Sequence, residues 1–259
     1  MKSVLLVILV IFFPCFPVDN TYECIGLGET CTVGAALQAF ELRKAAYPFD
    51  WIISPYASLC SVLEQNFQDF LNPSYLSVRS DKHGIINKYG LVFVHDFPTI
   101  HYLGDPKNDD LINENVLSQE WIKFLPDIQE KYDRRIERLR DTCMSSKKIY
   151  FIRHGGIRSR DEACILRNIL KTTYPSLDFT LVIVGNNSYF AEQWEEQNIK
   201  NYHLKDTGIW NDVAEWKAIF VDLGLIISSN ETNLQKRMDH YYEKYRSYLE
   251  KEHHNEIKR

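Results

Sequence analysis

Cys31 is preceded by the turn Gly26-Leu27-Gly28-Glu29-Thr30 and followed by a run in which Val33, Leu37 and Phe40 fall at helical spacing. That pattern places a thiol in the first turn of a helix, with Thr30 as a candidate cap. The positive end of the helix dipole and the unsatisfied N–H groups there favour thiolate over thiol. The same N–H groups are suited to hold an oxyanion, so a nucleophile and its oxyanion donors arise from one turn of chain. A nucleophilic thiol also needs a base, and His95, set in an apolar, strand-like stretch, is the candidate. The competing structural reading makes Cys31 one half of a bridge to Cys24 or Cys60, the common fate of cysteines in exported proteins.

Other constellations carry less. Arg153-His154-Gly155, directly after an apolar strand, resembles the opening of histidine phosphatases, but a second phosphatase histidine cannot be assigned downstream, so His154 reads as a strand-end residue dispensable for hydrolysis. The histidines His83, His101, His203, His253 and His254 lack metal-ligand spacing, and no Cys-x-x-Cys occurs. Asp105, Asn108, Asp109 and Asp110 form an acidic loop without the Gly and terminal Glu of an EF-hand. No metal and no cofactor is expected.

The elements that must position Cys31 and His95 follow from periodicity. A helix is expected from Cys31 through Leu42, broken by Tyr47-Pro48-Phe49-Asp50-Trp51, and a second from Pro55 with Leu59, Val62, Leu63, Phe67 and Phe70 on its core face. Alternation from Ile85 to Phe97 predicts a strand in which His95 and Asp96 face opposite ways. Leu117 to Cys143 is helical, restarting at Pro126, with Trp121, Phe124, Ile128, Tyr132, Ile136 and Leu139 inward. Lys148–Arg153 and Phe179–Val184 are apolar strands joined by a helix over Asp161–Leu170, a βαβ unit with a parallel sheet. Further helices are expected over Asp212–Phe220 and Asn233–Lys251.

A chain of 259 residues, 45% hydrophobic and 25% charged, suits one compact domain, and a net charge of -5 without long runs of one sign argues against a nucleic-acid partner. The Met1-Lys2-Ser3 start and the apolar run Val4–Phe13 predict a secretory signal over residues 1–18, too short for a stable membrane span. The mature domain is then 19–259: a Cys/His part over 19–112, a helical connection over 113–146 and an α/β half over 147–259. A secreted or lumenal location follows, with sequons at Asn186 and Asn230 as N-glycan acceptors. Removing the leader leaves Cys24, Cys31, Cys60, Cys143 and Cys164, so an odd thiol remains.

Three segments, Gly26-Leu27-Gly28-Glu29-Thr30-Cys31, Tyr47-Pro48-Phe49-Asp50-Trp51 and Tyr89-Gly90 with Phe93, His95, Asp96 and Phe97, resemble an uncharacterised domain family described as papain-like cysteine peptidases. The strand Lys148–Arg153 and the βαβ after it also match that layout. The resemblance implies a thiol acyl-transfer hydrolase with Cys31 as nucleophile and His95 as base, and it leaves the group that orients the imidazole open between Asp50 and Asp96. On a regular strand the Asp96 carboxylate points away from the neighbouring ring, which favours Asp50. Gly28, Glu29 and Thr30 stand where papain-like enzymes carry a Gln before the nucleophile. The alternative is a non-catalytic α/β module that handles a carbohydrate or nucleotide at the carboxyl ends of its strands, with Cys31 structural.

Overall fold

The computed structural model describes residues 22–103, 112–186, 190–204 and 213–226. The leader, the acidic loop around Asp105 to Asp110, Asn230 and the helix expected over Asn233–Lys251 lie outside them.

The protein is an α/β domain built on a parallel sheet. β1 (Tyr22–Gly26), β7 (Lys148–His154), β8 (Phe179–Gly185) and β9 (Ile199–His203) lie side by side in that order, every neighbouring pair parallel. Parallel neighbours cannot be joined by hairpins, so each connection crosses a face of the sheet, and both faces are covered. On one face Ile25, Ile149, Phe151, Leu181 and Ile183 pack with α2 (Tyr56–Glu64), α3 (Leu125–Met144) and α4 (Arg160–Thr173). On the other, Cys24, Ile152, Val182 and Val184 meet α1 (Thr32–Ala39) and α5 (Val213–Asp222), where Phe40 and Phe220 stack edge to face at 4.9 Å. β7 and β8 read as apolar runs because alternate residues are buried against opposite layers.

Two small antiparallel units sit on the long connection between β1 and β7. β2 (Ser77–Val78), β3 (Ile85–Ile86) and β4 (Val92–Phe93) form one, and β5 (Thr99–Leu103) pairs with β6 (Ile112–Leu117) in the other. The strand expected from Ile85 to Phe97 is therefore interrupted. Asn87 turns the chain, its Oδ1 accepting from the amides of Tyr89 and Leu91, and Gly90 takes φ +81°, which a strand does not allow. The helix from Pro55 stops at Glu64 because Asn66, Phe67 and Asp69 all adopt positive φ, yet Phe67 and Phe70 still reach the core. α3 begins at Leu125 with Pro126 in its first turn, where proline's missing N–H costs nothing. Its face Ile128, Tyr132, Ile136, Leu139 and Cys143 is buried as expected, whereas Phe124 is exposed. Among the described residues no helix is long and apolar enough to cross a membrane.

Candidate active site

The parallel sheet brings the residues after β1 and after β7 to one edge. Beyond Gly26 the chain still runs beside β7: the Leu27 amide donates to Ile152 O (2.8 Å), the His154 amide to Gly28 O (3.2 Å) and the Glu29 amide to His154 O (3.2 Å). Gly28 adopts φ +79°, and a Cβ there would run into Ser54 Oγ, so the turn requires glycine on both counts. Cys31 then occupies the N-cap of α1 (φ -69°, ψ -4°), one residue before the first helical turn in which the sequence pattern had set it. Its carbonyl accepts the first helical bond from Ala35 (2.9 Å), while the cap on the Thr32 amide comes from Thr30 Oγ1 at 3.4 Å. Cys31 is half-buried.

None of the described cysteines is in a disulfide, so Cys31 does not bridge Cys24 or Cys60. Burial pushes the Cys24 and Cys143 thiols up to about 12 and raises Cys60 and Cys164 as well. Cys24, Cys60 and Cys143 are buried as well, which makes them thiols of low reactivity.

Beneath the turn lies Arg153, fully buried at 0% exposure. Its guanidinium ties three segments together: Nη1 donates to Leu27 O (2.8 Å) and Ser54 Oγ (3.3 Å), Nη2 to Ser54 O (2.9 Å) and Nε to Gly155 O (3.1 Å). Burial pushes it down to about 10, opposed by the charge of Glu29, and it stays protonated at neutral pH. Gly155 and Gly156 adopt φ +79° and +70°, and a Cβ on either would press on Glu29 Oε2, at 2.5 and 3.0 Å. The glycine pair thus lets the Glu29 carboxylate lie across the exit of β7.

Asp50 packs against the first turn of α1, its carbonyl oxygen 2.7 Å from the Cβ position of Gly34. His95 follows β4 on an irregular segment, half-buried; burial lowers its pKa, and the Asp96 carboxylate opposes that shift. Asp96 turns to α3, accepting from Tyr132 Oη (2.7 Å) and Lys131 Nζ. Asp50 is 1% exposed; its Oδ2 accepts from Arg43 Nε (3.0 Å) and the Tyr47 amide (2.9 Å), and burial raises its carboxyl against the pull of Arg43. The antiparallel bridge between Ile53 and Val92 sets the direction of this part. Ser54 binds at the level of Leu27 and Glu29, whereas Asp50 Oδ1 lies 3.1 Å from the Cβ position of Gly26, further down the strand. Ser54 stands in no motif and gave residue-type reasoning no signal, and Glu29, though inside the turn before Cys31, was assigned no contact; the signal for Arg153 was a charged residue ending an apolar strand.

Comparison with known proteins matches residues 22–189 to the family described as "Putative papain-like cysteine peptidase (DUF1796)". The chain belongs to this family. It is also 32% identical over 238 residues to "Uncharacterized protein R408" of Acanthamoeba polyphaga mimivirus, an alignment covering 79% of this chain and 99% of that one. No solved structure matches. The family match spans β1, the Cys31 turn, both small antiparallel units and the βαβ unit through β8, so the edge that carries Glu29, Cys31 and Arg153 lies within it.

Proposed function

We propose that the chain is a thiol acyl-transfer hydrolase, a cysteine peptidase or an amidase of the same mechanism, with Cys31 as its nucleophile. The observation that carries this reading is the half-buried Cys31 thiol at the N-cap of α1, on the carboxyl edge of the sheet. A helix start offers backbone N–H groups with no intrahelical acceptor, and these stabilise both a thiolate and the oxyanion formed when sulfur adds to a carbonyl. The resemblance implies an imidazole as the base that takes the thiol proton, and a neutral imidazole is the form that accepts one. Attack by sulfur on the carbonyl carbon forms a thioester and releases an amine or alcohol; water then cleaves the thioester and restores the thiol.

The test is a Cys31→Ala variant assayed beside the unaltered chain with a fluorogenic peptide and ester panel and with iodoacetamide as the thiol probe. Hydrolysis lost with Cys31→Ala, together with alkylation confined to Cys31, supports the reading. Hydrolysis retained by the variant refutes it. In that case the carboxyl ends of β7 and β8, with Gly155, Gly156 and Gly185, favour a module that binds a carbohydrate or nucleotide in the crevice there.

A further inference from the structure

Resting on Cys31 as the nucleophile, we infer that His154 is the imidazole that takes its proton. His154 ends β7 next to the very turn that leads to Cys31: its amide donates to Gly28 O and its carbonyl accepts from the Glu29 amide, both at 3.2 Å. Along β7, side chains alternate between the faces, so His154 shares the face of Ile152. That is the face covered by α1 and α5, and the ring packs against Trp216 of α5, centroids 6.0 Å apart. α1 starts at Cys31 on the same face and at the same end of the sheet. Cys31 and His154 are therefore brought to one corner by the sheet itself. His95 lies on the irregular segment after β4, and its neighbour Asp96 is fastened to α3, which covers the opposite face.

In the reaction, His154 accepts the proton of the Cys31 S–H as sulfur bonds to the carbonyl carbon. The imidazolium returns that proton to the departing amine or alcohol as its bond to carbon breaks. In the second half His154 takes a proton from water as oxygen adds to the thioester, and delivers it to the leaving sulfur. Glu29 lies across the exit of β7 beside Gly155 and Gly156, Arg153 precedes His154 on β7, and Glu215 and Lys217 stand next to Trp216 in the sequence of α5.

The experiment follows alkylation of Cys31 by iodoacetamide against pH in the full chain, read by peptide mass. The unaltered protein should show a midpoint below the ~8.5 of an ordinary thiol. His154→Gln should raise that midpoint by about one pH unit or more and slow alkylation at pH 7 roughly tenfold or more, while His95→Gln leaves the profile in place. His154→Asn serves as a second variant, and thermal melting establishes that each is folded; if neither His154 variant folds, chemical modification of His154 by diethyl pyrocarbonate in the unaltered protein must raise the midpoint instead. A midpoint that moves with His95→Gln and stays with the His154 variants overturns the inference and leaves Cys31 as nucleophile. A Cys31 that alkylates like an ordinary thiol in the unaltered protein overturns both.

Discussion

Arg153→Met removes the guanidinium that joins the exits of β1 and β7 to Ser54 while keeping most of the side-chain volume. The Leu27 carbonyl keeps a partner, because Ser54 Oγ also donates to it at 3.2 Å. The Gly155 carbonyl is half-exposed and water replaces Nε. Ser54, at 0% exposure, has no such recourse, and its carbonyl is left buried without the 2.9 Å bond from Nη2. An orphaned buried acceptor costs about 1–3 kcal/mol, and bonds from a charged donor are worth about 1.5–3 kcal/mol each. Against these losses stands relief of the several kcal/mol spent in desolvating a guanidinium. A net loss of about 3 kcal/mol remains, a drop of roughly 10 °C in melting temperature for a domain of this size. Urea unfolding monitored by tryptophan fluorescence would show the midpoint fall with the slope unchanged. Arg153→Lys should lose nearly as much, since one ammonium cannot span Leu27, Ser54 and Gly155 together. A loss under about 1 kcal/mol for Arg153→Met would refute the assignment of Arg153 as the strut of this edge.

Asp50→Ala should cost about 3 kcal/mol, because it strands Arg43 and removes the acceptor of the buried Tyr47 amide; Asp50→Asn, which keeps that acceptor, should cost less, as measured by denaturant midpoints. His95 is lowered in the folded state, so below about pH 6.5 the unfolded chain binds more protons than the native one. Stability should therefore fall as pH drops from 7 through 6.5 toward the folded pKa, and His95→Gln should shallow that fall in melting curves; an unchanged slope would contradict the burial of this imidazole.

The parts of the fold that can be read in the sequence are those where one physical signal dominates. Lys148–Arg153 and Phe179–Val184 are dominated by apolar residues, which a strand buried on both faces explains, and β7 and β8 each run one residue further. The charged amphipathic run up to Cys143 is likewise a helix, α3. β1 escaped notice because Tyr22-Glu23-Cys24-Ile25-Gly26 places a buried carboxylate in the middle of a five-residue strand, and Ile199–His203 carries Lys200 and Asn201 where an apolar run was sought. In both cases the strand exists because a neighbour pairs with it, which local composition does not record. The alternation from Ile85 to Phe97 misled for the opposite reason: the period was right while Asn87 and Gly90 imposed a turn across it. At the candidate site the Cys31 helix start was legible from Thr30 and the apolar spacing, but the side of the sheet on which each histidine stands was not, since it depends on pairings far along the chain.

That separation bears on how the molecule comes to exist. Tyr22 pairs with Lys148 and Leu27 O binds Arg153, partners 126 residues apart. During synthesis the first strand must wait for most of the domain before it has anything to pair with, and closing so long a loop precedes any gain from the contact. The small antiparallel units and α3, made of local contacts, form in that interval and offer a partly built surface. The edge that carries Cys31 is therefore assembled at the end of folding, which leaves the turn before α1 immature until β7 has docked.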